Sequence, residues 1–168
     1  MFYIIIGQSG AGKTTFVRNR FLKEPYTIEK DGIYYTQCEN GTVLLGKYGI
    51  DKRTQGTDTL SYSAKEKIKT ALQKFAAENK DVVLEGDRIN NDDVFRFISR
   101  LGVETKLYLV NCSLATSMKR LRDAGSTITP TFVKTTKTKS KNMFLKWGKR
   151  FHGEIINTEP PKEADTPQ

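Results

Sequence analysis

Two hydrophobic rhythms alternate along the chain. Positions 2–6 (Phe-Tyr-Ile-Ile-Ile), 81–87 and 103–110 are short apolar runs, the pattern of strands buried on both faces of a parallel sheet. Between them the spacing becomes helical. Phe16, Val17, Phe21 and Leu22 share one face over 14–22. Ile68, Ala71, Leu72, Phe75 and Ala76 do the same up to about Asn79, behind a capping box at Ser63-Ala64-Lys65-Glu66. Val94, Phe95, Phe97, Ile98 and Leu101 form a third helical face over 91–101, closed by Gly102, and Ser113 caps a fourth helix running to about Asp123. Strands alternating with helices predict an α/β fold with a parallel, doubly wound sheet joined by right-handed crossovers.

Other stretches break the rhythm. Glu24-Pro25 ends the first helix, and 26–29 reads as the second strand, with Lys30-Asp31-Gly32 as a turn. Runs at 33–38 and 42–45 flank Glu39-Asn40-Gly41, so an inserted β-hairpin is expected after that second strand. Segment 46–61 has no period and reads as a long functional loop. Segment 125–140, rich in Thr and Lys, reads as a second loop, with a short helix expected over 141–149. After Asn157, three of the five prolines together with Glu159, Glu163 and Asp165 predict a disordered tail over 158–168. This leaves one domain over 1–157, large enough to bury a core.

The most specific chemistry lies at the first strand–helix junction. Gly7-Gln8-Ser9-Gly10-Ala11-Gly12-Lys13-Thr14-Thr15 satisfies G-x-x-x-x-G-K-[ST], a loop whose backbone amides wrap a nucleotide's phosphates. Its glycines permit positive φ and close approach of backbone to phosphate oxygens, and the following helix adds its positive end. Lys13 is expected on the β- and γ-phosphates and the Thr14 hydroxyl on Mg²⁺. An acid should stand near that metal where a hydrophobic strand stops. Glu85-Gly86-Asp87-Arg88 fits, with Asp87 the first choice and Glu85 the alternate.

Transfer to an alcohol also benefits from a carboxylate that accepts the hydroxyl proton. Asp31, after the second strand, and Asp58, in the long loop, are both candidates. Tyr48 and Arg53 in that loop, with Arg88, are placed as acceptor contacts, by stacking and by pairing with phosphate.

Composition changes one part of this picture. Apolar content of 37% and charged content of 28% suit a soluble globular protein, and no apolar run is long enough to span a bilayer. No basic leader precedes the first strand, and Cys38 and Cys112 lack metal spacing, so a cytoplasmic protein with reduced thiols is expected. The net charge of +9, however, favours a polyanionic partner. Ten of the 28 basic residues fall between Lys119 and Arg150. Arg120 and Arg122 open that segment, where a lid over about 122–141 would bring cations to the transferring phosphoryl group. Lys134, Lys137 and Lys139, interleaved with Thr and aromatic residues, suit contact with a DNA backbone.

On the P-loop, the strand ending Glu85-Gly86-Asp87-Arg88 and the Arg120/Arg122 pair, residues 1 to 125 resemble P-loop kinases of the nucleoside-monophosphate and polynucleotide kinase type. That resemblance implies a three-layer α/β P-loop NTPase fold with a mobile basic lid, and transfer of the γ-phosphate of ATP with Mg²⁺. It places Asp31 where polynucleotide kinases carry their general base. The segments GTDTLS, VVLEGDRIN and GSTITPTFVKTTKTKSKN look similar to small phage kinases that phosphorylate the hydroxymethyl group of 5-hydroxymethyluracil in DNA. Modified DNA is then the implied acceptor and a host cytoplasm the implied setting, with free nucleotides or nucleosides the alternative acceptors. Asn79-Lys80-Asp81 is a poor version of the guanine-reading N-K-x-D, which weighs against a GTPase switch, and the intact Lys13 and Thr14 weigh against a purely DNA-binding module.

Overall fold

The computed structural model describes residues 1–49 and 55–161. Five strands run parallel: β1 (Phe2–Gly7), β4 (Val43–Leu45), β5 (Val82–Glu85), β6 (Thr105–Asn111) and β7 (Glu154–Asn157), in the spatial order β4-β5-β1-β6-β7. Two antiparallel strands, β2 (Tyr26–Asp31) and β3 (Ile33–Cys38), extend the sheet beyond β4. The α/β fold and its parallel sheet are as expected, and β1 lies at the centre. Its carboxyl end therefore opens into the phosphate loop between β5 and β6.

One strand assignment changes. The second strand of the parallel core is β4, and β2 lies on the outer edge. Val43, Leu44 and Leu45 are completely buried, as an interior strand needs, whereas most of β2 is exposed. The Asn40-Gly41 turn joins β3 to β4, so β2, β3 and β4 form a meander that ends in the core strand rather than an insertion after it.

Alternation along β1 builds the three layers. Phe2, Ile4 and Ile6 face a core completed by α2 (Lys65–Ala77), α3 (Asp92–Arg100) and the end of α5 (Pro130–Trp147), through Ile68, Leu72, Phe75, Val94, Phe95, Ile98 and Trp147. Ile5 faces the other way, onto Val17 and Phe21 at α1 (Lys13–Arg20) together with Tyr108. The expected capping box is absent: α2 starts at Lys65 without a side-chain cap, and the Ser63 hydroxyl bonds Ser61 instead.

The segment expected as a loop over 125–140 is mostly helix. Thr129 caps α5 by accepting from the Phe132 amide, Pro130 occupies its first turn, and the helix runs unbroken to Trp147. Its buried positions include Thr136 and Ser140. α4 (Leu114–Asp123) precedes it, capped by Ser113 as expected. The predicted tail is also partly structured: Thr158 and Glu159 are hydrogen-bonded to the body, while 162–168 lie outside the described residues. No helix among the described residues is long and apolar enough to cross a membrane.

Acids in the first turn of α3 tie the helical layer together. Asp92 receives Lys146, Arg96 and the Trp147 indole, and Asp93 receives Lys65 at 2.5 Å and Lys69 at 2.8 Å. The two ammonium groups hold the Asp93 carboxyl at about 2, below its usual 3.8. A depressed carboxyl stabilises the native state fully above its unfolded pKa and loses that contribution as pH falls through the folded value. Urea unfolding followed between pH 5 and pH 2 should therefore show stability falling mainly from about pH 4 downward. Asp93→Asn should flatten that fall, and an unchanged slope would show that the pairs contribute nothing.

Candidate active site

The turn after β1 packs tightly on the neighbouring backbone because its glycines carry no side chains. A Cβ at Gly7 would stand 2.2 Å from the Val110 carbonyl oxygen, and one at Gly10 would stand 2.7 Å from that of Ser117. Gly10 and Gly12 take φ of 75° and 93°, the left-handed region that glycine adopts without strain. Gln8 fixes the loop from below, its side-chain amide donating to the Cys112 carbonyl at 2.7 Å and to Ser117 at 3.1 Å. Lys13 folds back over the loop, its ammonium donating to the Gly7 and Gln8 carbonyls at 3.0 Å each. Burial of that ammonium pushes the Lys13 pKa down, while the carboxylates of Glu85, Asp58 and Asp87 act to raise it.

Opposite the loop, β5 delivers Glu85. One carboxylate oxygen accepts the Thr14 hydroxyl and the other accepts the Tyr48 hydroxyl at 3.1 Å. Burial is the main influence on this carboxyl and raises its pKa, against the opposing pull of those two donors and of Lys13. A buried carboxylate beside a hydroxyl and the phosphate loop is a hard-oxygen pair of the kind that holds Mg²⁺, whose remaining ligands come from nucleotide phosphates and water. The residues present thus fit the metal expected with ATP. Glu85 is the carboxylate that meets the Thr14 hydroxyl. The Asp87 carboxylate turns outward to Lys139 at 2.9 Å.

A single 3₁₀ turn (Thr57–Thr59) lays Asp58 beside this group. Thr57 donates its hydroxyl to the Glu85 carbonyl at 2.5 Å, and an Asp58 oxygen accepts the Asp87 amide at 3.1 Å. Gly86, at φ 120°, makes the approach possible, since a Cβ there would meet Thr57 and Asp58 side-chain oxygens at 2.7 and 3.0 Å. Asp58 remains exposed to solvent, and its charge acts on both Lys13 and Glu85.

No family model matches the chain, and no curated protein matches it. Solved structures do. They include deoxyadenosine kinase from M. mycoides with bound dATP, 13% identical over 94% of this chain and 91% of that one, with a TM-score of 0.44. The same enzyme with bound dCTP is 14% identical over 96% and 92%, with a TM-score of 0.49. With products dCMP and a flexible dCDP bound, it is 14% identical over 93% and 89%, with a TM-score of 0.46. Any chemistry has to be read from the geometry of the site itself.

That geometry separates the expected site residues into two groups. Gly7 to Thr15, Lys13, Thr14 and Asp58 come together. Asp31 does not join them: it sits on the edge strand four strands from β1, about 19 Å away at ordinary strand spacing, and is ion-paired with Lys74. Tyr48 is 1% exposed, so it stacks on no ligand; burying its ring under the loop brings its hydroxyl to Glu85. Arg53 lies outside the described residues.

Arg120 is not on a free lid. Its guanidinium donates to the Ala11 carbonyl at 3.2 Å and to both oxygens of Thr158, while Arg122 stays exposed in the last turn of α4. Lys134 is exposed on α5, Lys137 donates to the Cys112 carbonyl, and Lys139 pairs with Asp87. Arg88 reaches the Leu60 carbonyl and lies 3.4 Å from the ring centre of Tyr62. Sequence reasoning passed over Tyr62, Thr136 and Thr158, none of which belongs to a motif.

Glu85→Gln should uncouple stability from binding. The raised Glu85 pKa means that its charge opposes folding at neutral pH, so the nucleotide-free variant should resist urea at least as well as the parent. Calorimetric titration should then show Mg²⁺-dependent ATP binding weakened roughly 10- to 100-fold. Equal binding by the variant would remove Glu85 from the metal site.

Proposed function

We propose that this chain is a Mg²⁺- and ATP-dependent phosphotransferase acting on a hydroxyl of a nucleoside or nucleotide. The observation that carries the reading is one exposed carboxylate, Asp58, on the turn hydrogen-bonded to the strand end that carries Glu85, the partner of Thr14. A phosphate loop alone binds nucleotides; a loop with an exposed acid nearby has the parts for transfer. The loop amides and Lys13 hold the β- and γ-phosphates, and Thr14 and Glu85 hold the metal, which neutralises phosphate charge when bound. Asp58 accepts the proton of the acceptor hydroxyl as its oxygen bonds to the γ-phosphorus. The bond from that phosphorus to the β–γ bridging oxygen breaks, and the electron pair leaves with ADP.

On the acceptor side, Tyr62 is 86% exposed, with the Arg88 guanidinium over one face of its ring. The exposed ring is available to stack on a planar base.

A second reading has the acceptor hydroxyl carried by DNA, such as the hydroxymethyl group of 5-hydroxymethyluracil. The charge of +9 and the exposed row Thr131, Lys134, Thr135, Thr138 and Asn142 on α5 favour it. The engagement of Lys137 and Lys139 within the fold reduces the cations available for a DNA strand.

Labelled ATP offered with deoxynucleosides, nucleoside monophosphates, ordinary DNA and DNA containing 5-hydroxymethyluracil separates the two. Label on free acceptors is expected; label on modified DNA alone would establish the second reading, and label on none would sink both. Asp58→Asn should lower kcat by about 10²- to 10⁴-fold with ATP affinity kept. A change under threefold would remove Asp58 as the base.

A further inference from the structure

Helix α5 crosses the carboxyl ends of three strands at once. Beyond β1, the Thr136 hydroxyl accepts the amide of Ser9 in the phosphate loop at 3.3 Å. Beyond β5, the Ser140 hydroxyl accepts the Asn90 side-chain amide at 3.0 Å. Beyond β6, Lys137 donates its ammonium to the Cys112 carbonyl at 3.0 Å. These three contacts fix the register of the helix against the loop, and Lys137 is delivered inward by the same turn that pins Ser9.

Two features set Lys137 apart from the other lysines of α5. Its ammonium shares the Cys112 carbonyl with the side-chain amide of Gln8, so it meets the second residue of the phosphate loop on a single oxygen. It also has no carboxylate partner among the described residues, unlike Lys139, which pairs with Asp87, and Lys146, which pairs with Asp92, and it is turned inward, unlike the exposed Lys134 and Lys141. A half-buried ammonium resting on a neutral carbonyl has lost water without gaining an anion. Its four-carbon stem lets it exchange that carbonyl for a stronger acceptor nearby.

We propose that Lys137 contacts the terminal phosphate of the bound nucleoside triphosphate and helps to carry its negative charge during transfer. This rests on the phosphotransferase reading above, and it moves Lys137 from an acceptor contact to the nucleotide side. Lys137 takes and gives no proton. Its ammonium binds a non-bridging γ-oxygen while the acceptor oxygen–phosphorus bond forms and the bond to the ADP oxygen breaks. α5 then acts as a fixed wall of the nucleotide site.

The test needs no acceptor. The full chain, with Mg²⁺, is titrated calorimetrically with ADP and with adenylyl imidodiphosphate, which differ by the terminal phosphoryl group. Lys137→Met should bind ADP as the parent does and lose roughly 10- to 100-fold in affinity for the imidodiphosphate. Lys137→Arg should keep most of that affinity. An equal loss for both nucleotides would mark a structural clamp on Cys112 and overturn the assignment, as would no loss for either. Failure of the parent chain to bind either nucleotide would overturn the phosphotransferase reading and this inference with it.

Discussion

The buried carboxylate of Glu85 is the constraint on which the rest of the site depends. β5 is fully buried, and it ends by placing a charge where solvent cannot reach it. Such a group is tolerated only when other atoms meet its oxygens. Here the Thr14 and Tyr48 hydroxyls do so, and Thr57 secures the backbone carbonyl of the same residue. Each partner brings an element with it: Thr14 the start of α1, Tyr48 the segment after β4, and Thr57 the turn that carries Asp58. The hydrogen bonds that satisfy one acid therefore join the start of α1, the segment after β4 and the turn that carries Asp58 at the end of β5.

The second organising element is α5, and its chemistry differs from that of an ordinary amphipathic helix. Its inward face includes Thr136 and Ser140, small hydroxyls that bond Ser9 and Asn90, before it ends in apolar packing at Trp147. Small polar side chains let the helix approach the carboxyl edge closely while satisfying the amides found there. The helix contributes Lys137 and Lys139 to that edge and seats its end in the core against Phe95 and Phe151. From the opposite side, Thr158 and Arg120 close on the carbonyls of the phosphate loop.

The parts of this arrangement that were legible in the sequence are those with a strong local signal. The glycine-rich loop, the apolar strands at β1, β5 and β6, and the faces of α2 and α3 can all be read from spacing, and the start of α4 from its Ser113 cap. Glu85 and Asp87 both stand at the expected strand end, and spacing does not tell which way each points: Glu85 faces inward with the buried strand, while Asp87, beyond Gly86, pairs with Lys139. α5 was illegible because its inward hydroxyls look like loop residues, although Thr129-Pro130 is an ordinary helix start. The edge position of β2 needed the whole sheet, since a four-residue β-rich run does not say how many neighbours it has. Tyr48 shows the same limit, because an aromatic residue in a glycine-bearing loop reads as exposed until the packing of Gly56 against its hydroxyl is known.

The most direct test of the central claim is a crystal structure of the chain with Mg²⁺ and a non-hydrolysable ATP analogue. The account predicts a metal ion about 2.0–2.1 Å from the Thr14 hydroxyl oxygen, with the Glu85 carboxylate bound to it directly or through one water. Lys13 should have left the Gly7 and Gln8 carbonyls for the β- and γ-phosphates, and Asp58 should face the γ-phosphorus. A nucleotide bound elsewhere, or a metal held by Asp87 with Glu85 still bonded to Thr14 and Tyr48, would contradict it.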